Sequence, residues 1–269
     1  MFSHQEIAHF QAFGYVVLPG LLSDNETATL SAEVTAALGD AFGTIGRDPG
    51  GEGGIPGDYL ALSADCAPFS QALIADDVRL FQGSTALLGR PTVPTPPIAT
   101  CFTGESTPWH IDQGPDIGGV KFLIHLKPRT AETGALRVLP GSHDPGFAAR
   151  VESYWSADPG NQGFAPWPAP AVALPTQPGD VIAFDLHLRH SSVGGGHRLA
   201  WTIEYLPWPG LADPERMEVV RDLVEDTVDD VDPDRWPTWR EWAAGVPMAP
   251  VSREVAAERL QLLGVLDRT

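Results

Sequence analysis

The sequence has little cysteine, little lysine and little positive charge. Two cysteines, Cys66 and Cys101, are too few for a disulfide framework. Among 17 basic residues only Lys121 and Lys127 are lysines, and 35 acidic residues leave a net charge of −18. No basic stripe is present for a nucleic-acid backbone, and an anionic membrane surface would repel such a chain. No apolar run reaches the roughly 18 residues of a membrane span. The segment 1–6 lacks the basic and apolar regions of a secretion signal. These absences predict a cytoplasmic protein that binds neither nucleic acid nor membrane. The sequence carries no sign of oligomeric state.

Glycine and proline, by contrast, are abundant, at 28 and 26 of 269 residues. With 43% hydrophobic residues, that punctuation predicts short strands and many turns around a sizeable core. Ser3 to Glu6 and Ser23 to Glu26 both have the spacing of a capping box. They predict helices to about Phe13 and Leu38, ended by Gly14 and Gly39, with a strand over 15–18 between them. Residues 43–57 hold seven glycines without the strand–GxGxxG–helix frame of a dinucleotide site. They read as a surface loop or as a lid.

From Pro97 to Leu206 the texture is β, with strands expected over 98–102, 107–112, 120–126, 135–139, 171–174, 181–187 and 198–206. That spacing suits a barrel or sandwich. The long connection 144–170 carries Tyr154, Trp155, Phe164 and Trp167, either as a functional wall or as packing for the loop itself. The acidic run from Asp222 to Asp234 reads as a solvated face, and a last helix is expected over 252–263. No repeat or linker divides the chain. One domain over 1–269 is expected, with helical support over 1–90, a β core over about 95–206 and a helical tail over 210–269.

Two segments carry chemistry. In Trp109-His110-Ile111-Asp112, residues i and i+2 of a strand share a face, so an imidazole and a carboxylate point together. With one distant histidine they would form a two-His-one-carboxylate triad, which leaves open positions on Fe(II). The second segment opens with the turn Gly179-Asp180 and an apolar strand, with His187 and His190 toward its far end. After Gly194-Gly195-Gly196 the chain returns through Arg198, whose planar fork suits a carboxylate.

The segments 10–20, 110–112 and 134–143 (Gly-Ala-Leu-Arg-Val-Leu-Pro-Gly-Ser-His) and the block 179–198 occur in an order that resembles the phytanoyl-CoA dioxygenase family of Fe(II)/2-oxoglutarate-dependent oxygenases. The likeness spans roughly residues 1–206. It implies a mainly β fold with flanking helices, a double-stranded β-helix or cupin-like jelly-roll barrel. It further implies Fe(II) as cofactor, 2-oxoglutarate and O2 as cosubstrates, and a small-molecule substrate. Carried over by position, His110 and Asp112 are metal ligands. The third is His190, about ten residues past the Gly-Asp turn, or His187, eleven before the arginine. The spacing from the turn favours His190. Arg198 and Ser192 match the cosubstrate positions. Trp109, Tyr154, Trp155 and Trp201 are candidates for the substrate pocket. His143 reads as structural, and His4, His9 and His125 as surface or core residues.

The carboxylate of Asp112 argues against halogenation, because related halogenases place a small residue there. The scarcity of clustered Lys and Arg argues against a CoA thioester. The resemblance implies hydroxylation of a small molecule as the default outcome, with desaturation, epimerisation or cyclisation open to the same chemistry, and, from what many bacterial relatives do, a place in natural-product biosynthesis.

Overall fold

Both capping boxes form. In the computed structural model, Ser3 Oγ accepts from Glu6 N while the Glu6 carboxylate accepts from Ser3 N, opening helix α1 (His4–Phe13). Ser23 and Glu26 make the same reciprocal pair at α2 (Asp24–Ala41). Gly14 ends α1 at φ +79°. The helix α2 runs through Gly39 instead of stopping there, because Gly39 does not take the left-handed conformation of a C-cap. The described residues are 2–41, 47–48, 57–62, 67–75, 77–104, 106–114, 116–156, 171–229 and 251–265.

The remaining elements are β1 (Tyr15–Leu18), β2 (Arg47–Asp48), β3 (Gly57–Ala61), α3 (Pro68–Ala75), α4 (Phe81–Leu88), β4 (Thr92–Pro94), β5 (Ile98–Phe102), β6 (Ser106–His110), β7 (Val120–His125), β8 (Leu136–Val138), α5 (Pro145–Ser156), β9 (Val172–Leu174), β10 (Val181–Asp185), β11 (His190–Val193), β12 (Arg198–Pro207), α6 (Pro214–Asp229) and α7 (Val251–Leu263). The larger antiparallel sheet has the order β1-β10-β7-β12-β5-β3-β2, with β4 pairing the end of β12. The smaller has the order β6-β11-β8-β9. They meet face to face in a core where Leu123, Ile182, Phe184 and Ala200 of the larger sheet touch Leu136, Val138 and Leu174 of the smaller. This is the jelly-roll arrangement that the sequence predicts.

The larger sheet is apolar on its other face as well. Phe122, Ile124, Trp201, Ile203 and Tyr205 pack there against Leu30, Val34, Leu73, Ile74 and Leu80 of the helical layer. Burial of each such side chain contributes about 1.5–3 kcal/mol. Strands covered on both faces read as continuous apolar runs, which is why β7 and β10 stand out in the sequence. No helix among the described residues is long and apolar enough to cross a membrane.

Three segments differ from expectation. The strand expected over 181–187 stops at Asp185, where Leu188 N donates to Asp185 O and His187 N to Asp185 Oδ1. That turn carries the chain into the other sheet, where β11 begins at His190. The strand expected over 107–112 ends at His110. The connection 144–170 begins as helix α5, because Asp144 Oδ1 caps Phe147 N and Pro145 opens the first turn. Residues 157–170, including Phe164 and Trp167, lie outside the described residues, as does most of the glycine-rich segment 43–57.

Candidate active site

His110 closes β6 and His190 opens β11, and the two are direct partners in the antiparallel register. Their ring centroids are 4.1 Å apart at an interplanar angle of 55°. Asp112 lies two residues past the end of β6, and its backbone N–H donates to Leu186 O at 3.0 Å. Asp112 Oδ1 stands 3.6 Å from His110 Nε2 and 3.5 Å from His190 Nε2. The three side chains form a group whose ligand atoms all lie within 4.8 Å of one another.

The tautomers suit a cation. His110 Nδ1–H donates to Pro108 O at 2.8 Å and His190 Nδ1–H to Leu188 O at 2.9 Å. A carbonyl only accepts, so in the neutral form of either ring the lone pair is on Nε2, the atom that faces Asp112. Burial, with His190 beside it, pushes His110 down to about 4. Burial would raise Asp112, but Lys121 and His190 outweigh it and hold the carboxyl below its usual range. Near neutral pH His110 is therefore neutral and Asp112 ionised, the states a divalent metal requires.

His187 is placed elsewhere. Its Nε2 is bonded to Gly114 O at 2.9 Å, in the turn between β10 and β11. Of the two histidines left open by the sequence, it is His190 that meets His110 and Asp112.

The far oxygen of Asp112 is also engaged. Lys121 Nζ lies 3.2 Å from Asp112 Oδ2 and 3.1 Å from Glu204 Oε1. Gln113 Nε2 donates to Glu204 Oε2 at 3.4 Å. Lys121 and Glu204 are register partners on β7 and β12. Burial would lower Lys121, but Asp112 and Glu204 more than offset it and hold the ammonium above its usual range.

Arg198, at the start of β12, is 2% exposed. Its Nη1 donates to Gly104 O at 3.2 Å and Gly194 O at 3.1 Å, and the guanidinium lies over the Phe102 ring. Ser192 Oγ shares a hydrogen bond of 2.9 Å with Thr107 Oγ1, across the β11–β6 pair. His125 and Arg129 are buried close by. His125 Nδ1 pairs with Thr176 Oγ1 at 2.9 Å, and burial, then Arg129 and Arg198, push the ring down to about 3. Arg129 is tied to Thr133 O and His197 O. Two buried guanidinium groups suit an anionic ligand.

Of the aromatic pocket candidates, Trp201 and Trp109 are turned away from the His110–Asp112–His190 group. Trp201 lies on the opposite face of β12 from Arg198 and Ala200. It is fully buried among the helices, with Nε1 donating to Ser70 Oγ at 2.5 Å. It is a core residue, because strand alternation turns odd positions of β12 outward. Trp109 is turned from His110 by the same alternation and packs by Leu139, Val151 and Phe147. Tyr154 and Trp155 fall at the end of α5, and their side chains lie outside the described residues. His143 is structural, as expected: its ring N–H donates to Gln11 O and its ring abuts Gly14.

The phytanoyl-CoA dioxygenase (PhyH) family profile matches residues 10–195, well over half of the chain. The chain belongs to this family. Membership makes it an Fe(II)/2-oxoglutarate-dependent dioxygenase. No curated protein sequence matches it. Among solved structures, its fold is similar to that of EctD from S. alaskensis with bound Fe, at 23% identity over 77% of each chain and a TM-score of 0.58. It is similar to the non-heme alpha ketoglutarate dependent carbocyclase SnoK from nogalamycin biosynthesis, at 20% identity over 79% of this chain and 88% of that one, with a TM-score of 0.62. It is also similar to HygX from Streptomyces hygroscopicus with nickel and 2-oxoglutarate bound, at 18% identity over 77% and 88%, with a TM-score of 0.60.

Sequence reasoning overlooks Lys121, Glu204 and Arg129, and reads His125 as a surface or core residue, which its burial bears out. A signal for Lys121 was present: a lone lysine in the otherwise apolar run Val120–Ile124, two positions from Leu123 on the core-facing side. Nothing comparable marks Glu204 or Arg129.

Proposed function

We propose that this PhyH-family enzyme hydroxylates an unactivated C–H bond of a small molecule in bacterial natural-product biosynthesis. Its Fe(II) is held by His110, Asp112 and His190, and its 2-oxoglutarate by Arg198 and Ser192. The observation that carries the reading is the convergence of two Nε2 lone pairs and one carboxylate oxygen, each fixed by a hydrogen bond on its remote side. One face of such an ion stays open for further ligands.

When bound, Fe(II) supplies the O2 chemistry that couples oxidative decarboxylation of 2-oxoglutarate to oxidation of a C–H bond. The chain's own residues bind and orient. Arg198 offers a rigid, buried guanidinium to the distal carboxylate of the cosubstrate. The Ser192 and Thr107 hydroxyls, already paired, supply a donor beside it. The jelly-roll core backs the His190 ring through Phe184, 4.8 Å away, and keeps water from that side. The charge balance and the absence of a basic cluster favour a small substrate over nucleic acid, membrane or CoA thioester, in a cytoplasmic setting. The reading takes 1–269 as one catalytic unit, with helices bracing the barrel at both ends. The fold shared with a carbocyclase of nogalamycin biosynthesis supports the natural-product context and keeps cyclisation as the alternative outcome.

Anaerobic titration of metal-stripped protein with Fe(II), then 2-oxoglutarate, tests this. Chelation of the 2-oxo acid should give a weak visible charge-transfer band. The band should vanish in His110→Ala, and in Arg198→Ala at cosubstrate levels that saturate the parent. A folded, metal-binding parent that gives no band refutes the assignment.

A further inference from the structure

We propose that Lys121 is a positioning residue that holds Asp112 to a one-oxygen posture, presenting Oδ1 to the metal and withholding Oδ2. The inference rests on the proposed reading of His110, Asp112 and His190 as metal ligands. Oδ1 stands 3.6 and 3.5 Å from the two Nε2 atoms, while Oδ2 accepts from Lys121 Nζ at 3.2 Å. The lysine cannot swing freely, because Glu204 Oε1 holds the same ammonium at 3.1 Å from the neighbouring strand. Gln113 in turn donates to Glu204 Oε2 at 3.4 Å, so the residue after Asp112 steadies the far end of the brace. The Lys121 side chain is 21% exposed and that of Glu204 18%, so water competes weakly for these pairs.

The chemistry explains why this brace matters. A carboxylate can bind a divalent ion through one oxygen or through both. A second Asp112 oxygen would take one of the positions that a chelating 2-oxo acid needs. A lysine suits the task better than an arginine. Its ammonium is a point donor that can take one oxygen from each of two carboxylates, whereas a guanidinium fork tends to grip both oxygens of one. Lys121 thus keeps a coordination position free without touching the metal. Because it places a positive charge beside that cation, removing it should not weaken the metal itself.

The test uses the full chain, stripped of metal, as parent, as Lys121→Met, and as Lys121→Met/Glu204→Gln, which removes the Glu204 charge left without its lysine should the single variant fold poorly. Co(II) affinity is measured first. Binding of 2-oxoglutarate and of succinate to the Co(II)-loaded proteins follows by calorimetry. Succinate has the same charge but lacks the 2-oxo group, so it does not chelate. The expected result is Co(II) affinity equal to the parent's or tighter, 2-oxoglutarate weaker by about tenfold or more, and succinate changed much less. Unchanged 2-oxoglutarate affinity overturns the proposal. So does an equal loss of succinate, which would mean charge alone, or a parallel loss of Co(II), which would mean general loosening of the site. A parent that binds Co(II) but not 2-oxoglutarate overturns the oxygenase reading and this inference with it. A parent that binds both, with variants like it, overturns only the inference.

Discussion

The Arg198 side chain occupies the space that Gly134 leaves by having no side chain of its own. A Cβ built at Gly134 would lie 2.4 Å from Arg198 Cδ and 2.5 Å from Gly194 O, and the backbone there has φ +88°. The glycine that opens the family-like run 134–143 is therefore part of the arginine's seat. We expect Gly134→Ala to destabilise the fold by about 1–3 kcal/mol, through backbone strain and the clash together. It should also weaken 2-oxoglutarate binding, since Arg198 is the neighbour that must move. Urea denaturation and ligand-induced thermal shift measure the two effects. Stability and affinity equal to the parent's would show that the seat is not needed.

The two neighbouring histidines should separate cleanly. His190→Ala is expected to abolish stoichiometric Co(II) binding, because it removes one of the three converging side chains proposed as ligands. His187→Ala removes the bond to Gly114 O and the 3.6 Å contact with Asp185 Oδ1 and should keep the metal, with a stability loss of about 1 kcal/mol. Metal titration with denaturation curves decides. Metal retained in the first variant and lost in the second would reverse the assignment.

Trp201 should matter for folding and not for chemistry. Trp201→Phe loses the Nε1–H bond to Ser70 and some buried volume, and is expected to lower stability by about 1–3 kcal/mol. The charge-transfer band of the Fe(II)–2-oxoglutarate complex should persist. Loss of the band in a folded variant would place Trp201 back at the site.

His125 should leave a mark on the pH dependence of stability. Burial and the nearby arginines push the folded-state value from 6.5 down to about 3. Between those values the unfolded chain binds a proton that the folded chain refuses. The contribution is thus fully present above about pH 6.5 and is lost as pH falls toward 3, with a slope of up to about 1.4 kcal/mol per pH unit. In metal-free protein, His125→Gln should flatten that part of the curve relative to the parent. Chemical denaturation at pH steps from 7 down to 4.5 checks it, and parallel curves would contradict it.

Local rules made much of the fold legible. The caps Ser3 and Ser23 name their helices because a short side chain and a glutamate three residues on satisfy the same orphan amides in any context. The strands β5, β7 and β12 announce themselves because both of their faces are buried. The switch at Asp185 was not legible. A turn made by one aspartate bonding its own neighbours looks, in sequence, like a strand that continues to the histidines. Asp112 and His110 were expected together by strand alternation, yet Asp112 is past the strand and is held by the carbonyl of Leu186, a contact between segments more than 70 residues apart. Trp201 failed as a pocket residue for a related reason. Size and aromaticity mark a residue for burial, and only the register of its strand says on which face.

Strand β12 carries Arg198 at one end and Glu204 six residues later, so one uninterrupted rod joins the arginine proposed to seat the cosubstrate's remote carboxylate to the prop behind Asp112. At about 3.4 Å per residue the two Cα atoms are roughly 20 Å apart, and the rod is held by β5 over residues 198–202 and by β7 over 200–205. It works as a ruler. Loops around the mouth can be exchanged to admit one substrate or another while the separation between anchor and prop stays the same. The enzyme's choice of co-reactant is thereby insulated from its choice of substrate.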